Sequence, residues 1–519
     1  MTIRKERRLW LTQNVQPMTA VANKDLDRST MALPDLCNYI DGSTSVPAID
    51  RGNCLRNPNN QQEIQTQRSC SQQQVETALA SAAQAFDGGE WESTPAEQRA
   101  KILDEIANRL EAPEIREQLA FVDAITTGAV IRATRQMARL APFVFRAAAG
   151  YLRNTGLAQR LPGKIGDVEY FRSPLGPALL VSPWNGPTAI GSHKIASALA
   201  AGAPCIIKPS EWAPHSALIM AEVIDSMDLP TGTFQLTCGN RTIGGQMVAD
   251  PRIKSVSFTG GLAGGRAIAA ACAADFKPTQ LELGGNNPLI VFEDADLELA
   301  AQGIVYGLTN LNAQWCRALG RVIVHNSVKS ALLERVEEKL AAVVLGDSLS
   351  ELSDMGPLIH KAQYDSVSWS IEKLRGLGGS LIAPTSLPAL PDLPGYFLAP
   401  TLIDGCDPQH TQDEIFGPAA AIHGFDTRAE ALALANGTPF GLAAYVYSNN
   451  EEAAFAFGRQ IRAGGVKING YSLLSLSGAA PRGAWGLSGL GEEGTGESVL
   501  FFTGARVVGI SPQDTIGGV

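Results

Sequence analysis

Residues 178–211 read ALLVSPWNGPTAIGSHKIASALAAGAPCIIKPSE. Ala178-Leu-Leu-Val-Ser182 is an apolar run of strand length, Pro187 to Ala201 reads as a helix opened by proline, and Pro204-Cys-Ile-Ile207 is a second apolar strand. A strand, a helix and a strand in so short a stretch predict a parallel crossover, with both faces of the sheet covered. Downstream the pattern repeats: helix 213–227, strand 234–237, strand 254–258 and a strand ending over 281–283. A second series starts at Pro288 to Phe292 and continues as helix 296–311, strand 319–324 and helix 327–343, so two α/β units are expected to meet near residue 283. Upstream, Thr94-Pro-Ala-Glu97 reads as a capping box before a helix whose buried face carries Ile102, Ile106 and Leu110. A further Ala-rich helix is expected over 133–151. Residues 1–34 are polar and aperiodic and read as a loose arm, and the Gly/Pro-rich stretch 377–400 as a surface connection.

A length of 519 residues predicts roughly three folding units. With 45% apolar residues and a net charge of −10 from 42 basic and 52 acidic side chains, the chain is neither disordered nor a phosphate-backbone binder, which needs a basic face. The 52 glycines and 30 prolines follow no fixed repeat, which excludes a fibre. Eight cysteines are scattered without a CxxC pair, and six histidines form no ligand pair. That composition points to reduced thiols in a cytoplasmic protein without a metal site. The basic start is followed by no apolar export segment, and no run is long enough to cross a membrane.

Three features carry chemistry. Gly260-Gly-Leu-Ala-Gly264-Gly265 follows a strand and opens a helix, where backbone amides can approach a pyrophosphate; a plain tight turn is the alternative. Lys208-Pro-Ser210-Glu211 lies at a strand's C-terminal end, the edge where open α/β sheets bind ligands. Its carboxylate can accept ribose hydroxyls beside a donating lysine, and a solvated ion pair is the alternative. The third is the set Asn185, Glu282 and Cys316. Singly these read as a turn residue, a surface acid and a buried thiol; for Cys316, polar Gln314 and Arg317 argue against an apolar slot, and the adjacent cation is expected to lower its pKa.

In this order the segments resemble the aldehyde dehydrogenase superfamily. The resemblance spans about Leu36 to Arg506 and rests on Pro183-Trp184-Asn185, Lys208-Pro-Ser-Glu211, Phe258-Thr-Gly260, Glu282-Leu-Gly-Gly285, Gln314-Trp-Cys316, Glu414-Ile-Phe416-Gly-Pro418 and Ser488-Gly-Leu-Gly491. It implies an α/β fold with a Rossmann-like parallel-sheet cofactor domain (35–152 and 173–282), a second α/β catalytic domain (283–497) and a small β oligomerisation element (153–172 and 498–519) that builds a homodimer or homotetramer. It implies Cys316 as nucleophile, Asn185 as oxyanion donor and Glu282 as the base for thioester hydrolysis. Lys208 and Glu211 would hold the adenosine ribose of NAD, Glu414 and Phe416 the nicotinamide end, and Gly260 and Gly265 the phosphate turn. Trp184, Ser210, Gly244, Gly261 and Leu283 complete the implied cofactor contacts. The Glu211 carboxylate disfavours a 2′-phosphate, so NAD is expected over NADP, with NADP still possible.

Departures concern the substrate. Gly186 stands where many relatives place a bulky aromatic, and His193 where an aromatic is frequent. Arg317 replaces a Cys, Ser or Thr, and Arg482 a Phe. The two arginines suggest an aldehyde with a carboxylate or other polar tail, the alternative being that they pair with acidic side chains. An aromatic-aldehyde dehydrogenase, a CoA-acylating enzyme, a cysteine hydrolase and a dinucleotide-binding protein without catalysis are the rival readings. A water-activating Glu282 speaks against the second.

Overall fold

The computed structural model describes residues 31–163, 166–382, 394–471, 476–477 and 480–510. All but the first two of these lie in the unit that begins at Leu33. The arm expected over 1–34 therefore falls largely outside the described residues, as do residues 383–393 within the 377–400 connection and residues 511–519.

The quoted stretch folds as its pattern requires. Ala178–Val181 and Cys205–Lys208 are fully buried strands that pair in parallel, joined by the helix Pro187–Ala201. Proline in its first turn starts the helix without an unsatisfied N–H, and Gly202, at φ +83°, ends it. Phe234–Leu236, Cys205–Lys208, Ala178–Val181, Ser255–Thr259 and Thr279–Glu282 lie side by side in that order, all parallel. The antiparallel pieces Asn38–Ile40 and Gly489–Leu490 flank them. Gly489–Leu490, from the end of the chain, thus borders Glu282. A second sheet contains parallel strands Thr401–Asp404, Ala419–Phe425, Leu319–His325, Asn287–Val291, Ala443–Tyr447 and Gly465–Ile468 in that order. Its core packs Leu289, Val322, Ile422 and Tyr445 against Ile304 and Leu332 of the covering helices. The two sheets are successive in the chain: the first ends at Glu282 and the second starts at Asn287, so the glycines between them carry the crossing.

A third, three-stranded antiparallel sheet stands apart, with Val168–Pro174 between Thr503–Gly509 and Ala158–Leu161. Both outer strands are exposed, and Val507, Val508 and Ile510 turn 54–90% of their surface to solvent.

Three local expectations need correction. Thr94 is not an N-cap: it ends the helix Glu90–Ser93, its hydroxyl donating to Glu90 O, and the next helix, Ala96–Leu110, starts after Pro95 without a side-chain cap. The Ala-rich helix is longer than its composition suggested, Ile131–Asn154, because the pattern of buried Ile131, Ala138, Phe145 and Leu152 continues through Pro142. Within the expected connection 377–400, Ser380–Ile382 forms an antiparallel edge strand on Thr401–Asp404.

Candidate active site

Cys316 follows a turn in which Leu311, Asn312 and Ala313 all hold left-handed backbones, with φ of 49°, 57° and 54°. Each such L-residue costs roughly 1–2 kcal/mol, and Asn312 supplies what holds the turn. Its Nδ2 donates to Gly128 O and Pro357 O at 2.8 Å, its Oδ1 accepts from Gly356 N at 2.9 Å, and the side chain is wholly buried. The far side of the loop is clamped as well. Asn287 Nδ2 donates to Cys316 O and Ala318 O, while the hydroxyls of Tyr445 and Tyr471 both donate to Arg317 O.

The nucleophile candidate opens onto a cavity of about 280 Å³ that Asn185, Gly186, His193, Arg317 and Arg482 also line. The structure thus gathers every residue singled out for the substrate around one space. Asn185 Nδ2 donates to Gln314 O at 2.8 Å, which aims the amide at the Cys316 loop and leaves its second N–H unused. No hydrogen bond among the described residues occupies the Cys316 amide. Gly186 opens the wall, with only Ile190 near the place of a side chain.

The expected acidic shift of the thiol is overturned. Arg317 does pull the Cys316 pKa down, but burial outweighs it and, with Glu282, Glu414 and Glu493 nearby, pushes the thiol up to about 11. Glu282 ends its strand 4% exposed and lies behind the cavity rather than on its surface. Burial first, and the charge of Glu493 second, raise its pKa, against Arg317, Lys194 and Arg482. A base held in this way ionises only toward alkaline pH. Burial would raise Glu493 too, but Lys194, His193, Arg482 and Arg317 outweigh it and keep that carboxylate ionised. Glu493 Oε1 lies 3.8 Å from Lys194 Nζ, which also donates to Ser257 Oγ at 2.7 Å.

The residues implied for a dinucleotide cluster at the C-terminal edge of the first sheet. Lys208 Nζ donates to Pro209 O and Gly239 O at 2.9 and 2.7 Å, which leaves one of its three N–H groups for a ligand. Gly244 packs against the stem of Lys208, Ser210 Oγ accepts from Trp212 N, and Glu211 is half-buried beside them. The helix Leu262–Ala273 starts at Gly261 with no side-chain cap, and nothing lies within 4 Å of where a side chain on Gly261 would begin. Its first amides therefore face open space, as a phosphate requires. Gly260 and Gly265 act differently. The Gly260 amide is taken by Glu282 O at 3.1 Å, and the two glycines make room for the Phe258 ring and for Leu283. Leu283 N is held by Ser488 O. Glu414 Oε1 accepts from Gly285 N at 2.7 Å, and Trp184 meets the Phe416 ring edge-on at 5.5 Å between centroids. An adenosine end, a phosphate cradle and an aromatic end are all present, so the residues fit NAD.

Sequence reasoning missed Asn312, Asn287, Lys194 and Glu493. Lys194 left a readable trace, a single cation inside the apolar helix Pro187–Ala201; two adjacent acids, Glu492 and Glu493, gave none.

Comparison with known proteins agrees with this geometry. The model of the aldehyde dehydrogenase family matches residues 50–508. A betaine aldehyde dehydrogenase of Cereibacter sphaeroides is 33% identical over 492 residues, covering 93% of this chain and 99% of its own. A (Z)-2-((N-methylformamido)methylene)-5-hydroxybutyrolactone dehydrogenase of Acinetobacter baylyi is 32% identical over 453 residues, 85% of this chain and 90% of that one. Among solved structures, betaine aldehyde dehydrogenase from Staphylococcus aureus in complex with NAD+ superposes with a TM-score of 0.87 at 30% identity, covering 92% of this chain and 95% of the other.

Proposed function

The chain belongs to the aldehyde dehydrogenase family and oxidises an aldehyde to its acid with NAD(P), and from that premise we propose which of its residues do the work. Cys316 gives up its thiol proton to water and its thiolate Sγ attacks the aldehyde carbon, forming a C–S bond and an alkoxide. The second N–H of Asn185 Nδ2 and the Cys316 amide are the two donors placed to receive that oxygen. Bound NAD supplies the acceptor for the hydride that leaves this carbon, after which Cys316 carries an acyl thioester. Glu282 takes a proton from water, the hydroxide adds to the thioester carbon, and Cys316 departs as thiolate with release of the acid. Lys208, Glu211, the amides that start Leu262–Ala273, Glu414 and Phe416 hold the dinucleotide.

The observation that carries this reading is the convergence of Cys316 and Asn185 on one cavity, with the buried, basic-shifted Glu282 near enough to act on the thiol. Mixing the protein with NAD and a panel of aldehydes, and following NADH absorbance, tests it. Cys316→Ala should end turnover while NAD still binds; turnover that survives removes Cys316 from the role.

The division into 35–152 with 173–282, 283–497, and 153–172 with 498–519 is likewise our assignment, supported by the break between sheets after Glu282. The small third sheet has two open edges and exposed Val507 and Val508, which favours assembly into a homodimer or homotetramer. Among the described residues, no helix is long and apolar enough to cross a membrane.

A further inference from the structure

We propose that this cavity is built for an aldehyde that also carries a carboxylate, and that Arg317 and Arg482 grip that group. The inference rests on Cys316 being the nucleophile and deepens that reading by naming the substrate class.

The two arginines on the cavity wall lack close carboxylate partners of their own. Arg317 lines the cavity yet is only 8% exposed, and its Nε is buried without a hydrogen-bond partner. Among the described residues no carboxylate lies within 4.0 Å of its guanidinium; Glu282 and Glu493 act on its charge from farther off, without a direct ion pair. Arg482 has one carboxylate near, Glu493 Oε2 at 3.9 Å, and the other oxygen of that same group is 3.8 Å from Lys194 Nζ. One acid is thus shared at close range by two cations, while Arg317 has no carboxylate in direct contact. A guanidinium held out of water without an anion is costly, and a planar carboxylate is the ligand that its fork of donors matches.

The rest of the cavity agrees. Burial pushes His193 down to about 4, and its Nε2 is engaged with Ser498 Oγ at 2.9 Å, which leaves the arginines as the charged donors to a tail. Met137, Leu140, Val144 and Leu442 supply apolar wall for a carbon chain. A quaternary ammonium head, such as the name of the betaine aldehyde relatives implies, would instead meet two arginines of like charge.

Arg317 adjoins Cys316, so it could equally act on the thiol alone. Two probes separate these roles. First, kcat/KM is compared for succinic semialdehyde, butanal and betaine aldehyde with NAD. The carboxylate should win over butanal by about tenfold to a hundredfold, the worth of one charge-assisted hydrogen-bonded pair, and betaine aldehyde should come last. Equal rates for the acid and butanal, or betaine aldehyde ahead of both, overturn the proposal. Second, Cys316 is alkylated without NAD by iodoacetate and by iodoacetamide, with iodide leaving as the S–C bond forms, and each rate is divided by that of glutathione. An effect on the thiol alone speeds both reagents alike, whereas carboxylate capture favours iodoacetate by roughly tenfold. That preference should fall in Arg482→Met and recover in part in Arg482→Lys. A normalised ratio near one in the wild-type protein overturns the proposal without need of any variant. If no aldehyde in the panel is oxidised, it is the catalytic reading of Cys316 that falls, and the alkylation ratio still decides the fate of the arginine pair.

Discussion

Gly284→Ala tests how the nicotinamide end of the site is held. An alanine Cβ at this position would fall inside the Glu414 carboxylate, 2.5 Å from Oε1 and closer still to Oε2. The backbone of Gly284 is not left-handed, so alanine brings no strain of its own. The Glu414 side chain must therefore swing away, and Gly285 N–H loses the acceptor it has at 2.7 Å. A hydrogen bond to an ionised carboxylate is worth about 1.5–3 kcal/mol, or roughly ten- to 150-fold in an equilibrium constant. NAD affinity should weaken by that factor once Glu414 is ionised. Burial, partly offset by the Gly285 amide, raises the Glu414 pKa to about 7. The raised value means that the carboxylate form is a minority below pH 7 and dominates above it, so the gap between variant and wild type should widen from pH 6 to pH 8. Titration of NAD against protein fluorescence measures the affinity, and thermal unfolding checks that the fold survives. The decisive comparison is a double-mutant cycle: once Glu414 is cut to alanine, Gly284→Ala should cost almost nothing further. Additive losses, or wild-type affinity in Gly284→Ala, would refute the mechanism.

Glu282→Gln should lower steady-state turnover by about 10²–10⁴-fold, the usual worth of a general base, while one equivalent of NADH per site still forms in stopped flow; loss of that first equivalent would place Glu282 in the earlier chemistry. Because burial and Glu493 raise the Glu282 pKa, its base form is gained as pH rises, so hydrolysis-limited rates should climb through neutrality. Glu493→Gln removes the like charge and should move that limb to lower pH; a shift to higher pH would contradict the assignment. Asn312→Ala removes three buried hydrogen bonds from a left-handed turn and should cost about 3 kcal/mol or more of stability, with kcat falling further than NAD affinity; an unchanged melting temperature and kcat would deny the turn its anchor. Light scattering at micromolar concentration should give a dimer or tetramer, and Val507→Glu with Val508→Glu should lower that mass; a wild-type monomer would dispose of the assembly reading.

What could be read from the sequence was whatever depends on short-range pattern. Apolar runs of four residues between helices marked the parallel strands, because strands buried on both faces cannot alternate in polarity. The residues just beyond two of those strands, Asn185 and Lys208, then fell where ligands bind, while the role of Cys316 came from the family resemblance. Properties set by the sum of distant contacts could not be read that way. Arg317 beside Cys316 suggested an acidic thiol, but the pKa follows from how many groups enclose the sulfur, and burial wins. Thr94 stood at capping distance from Glu97, yet its hydroxyl packs back on the preceding helix and Pro95, not Thr94, holds the N-cap position of the next one. The left-handed turn at 311–313 lacks glycine, and only the three partners of Asn312, brought from residues 128, 356 and 357, make it affordable.

The same distinction bears on substrate choice. A cation's meaning depends on whether an acid of the chain lies opposite it, and no local spacing reports that. Arg482 and Lys194 divide Glu493 between them, whereas Arg317 is left facing the cavity. Likeness to betaine aldehyde dehydrogenases extends over the fold and the reaction, both of which are fixed by backbone and by the residues around sulfur and cofactor. On the proposal above, the chain keeps the family's chemistry at 30% identity while two arginines set the charge of the tail it accepts.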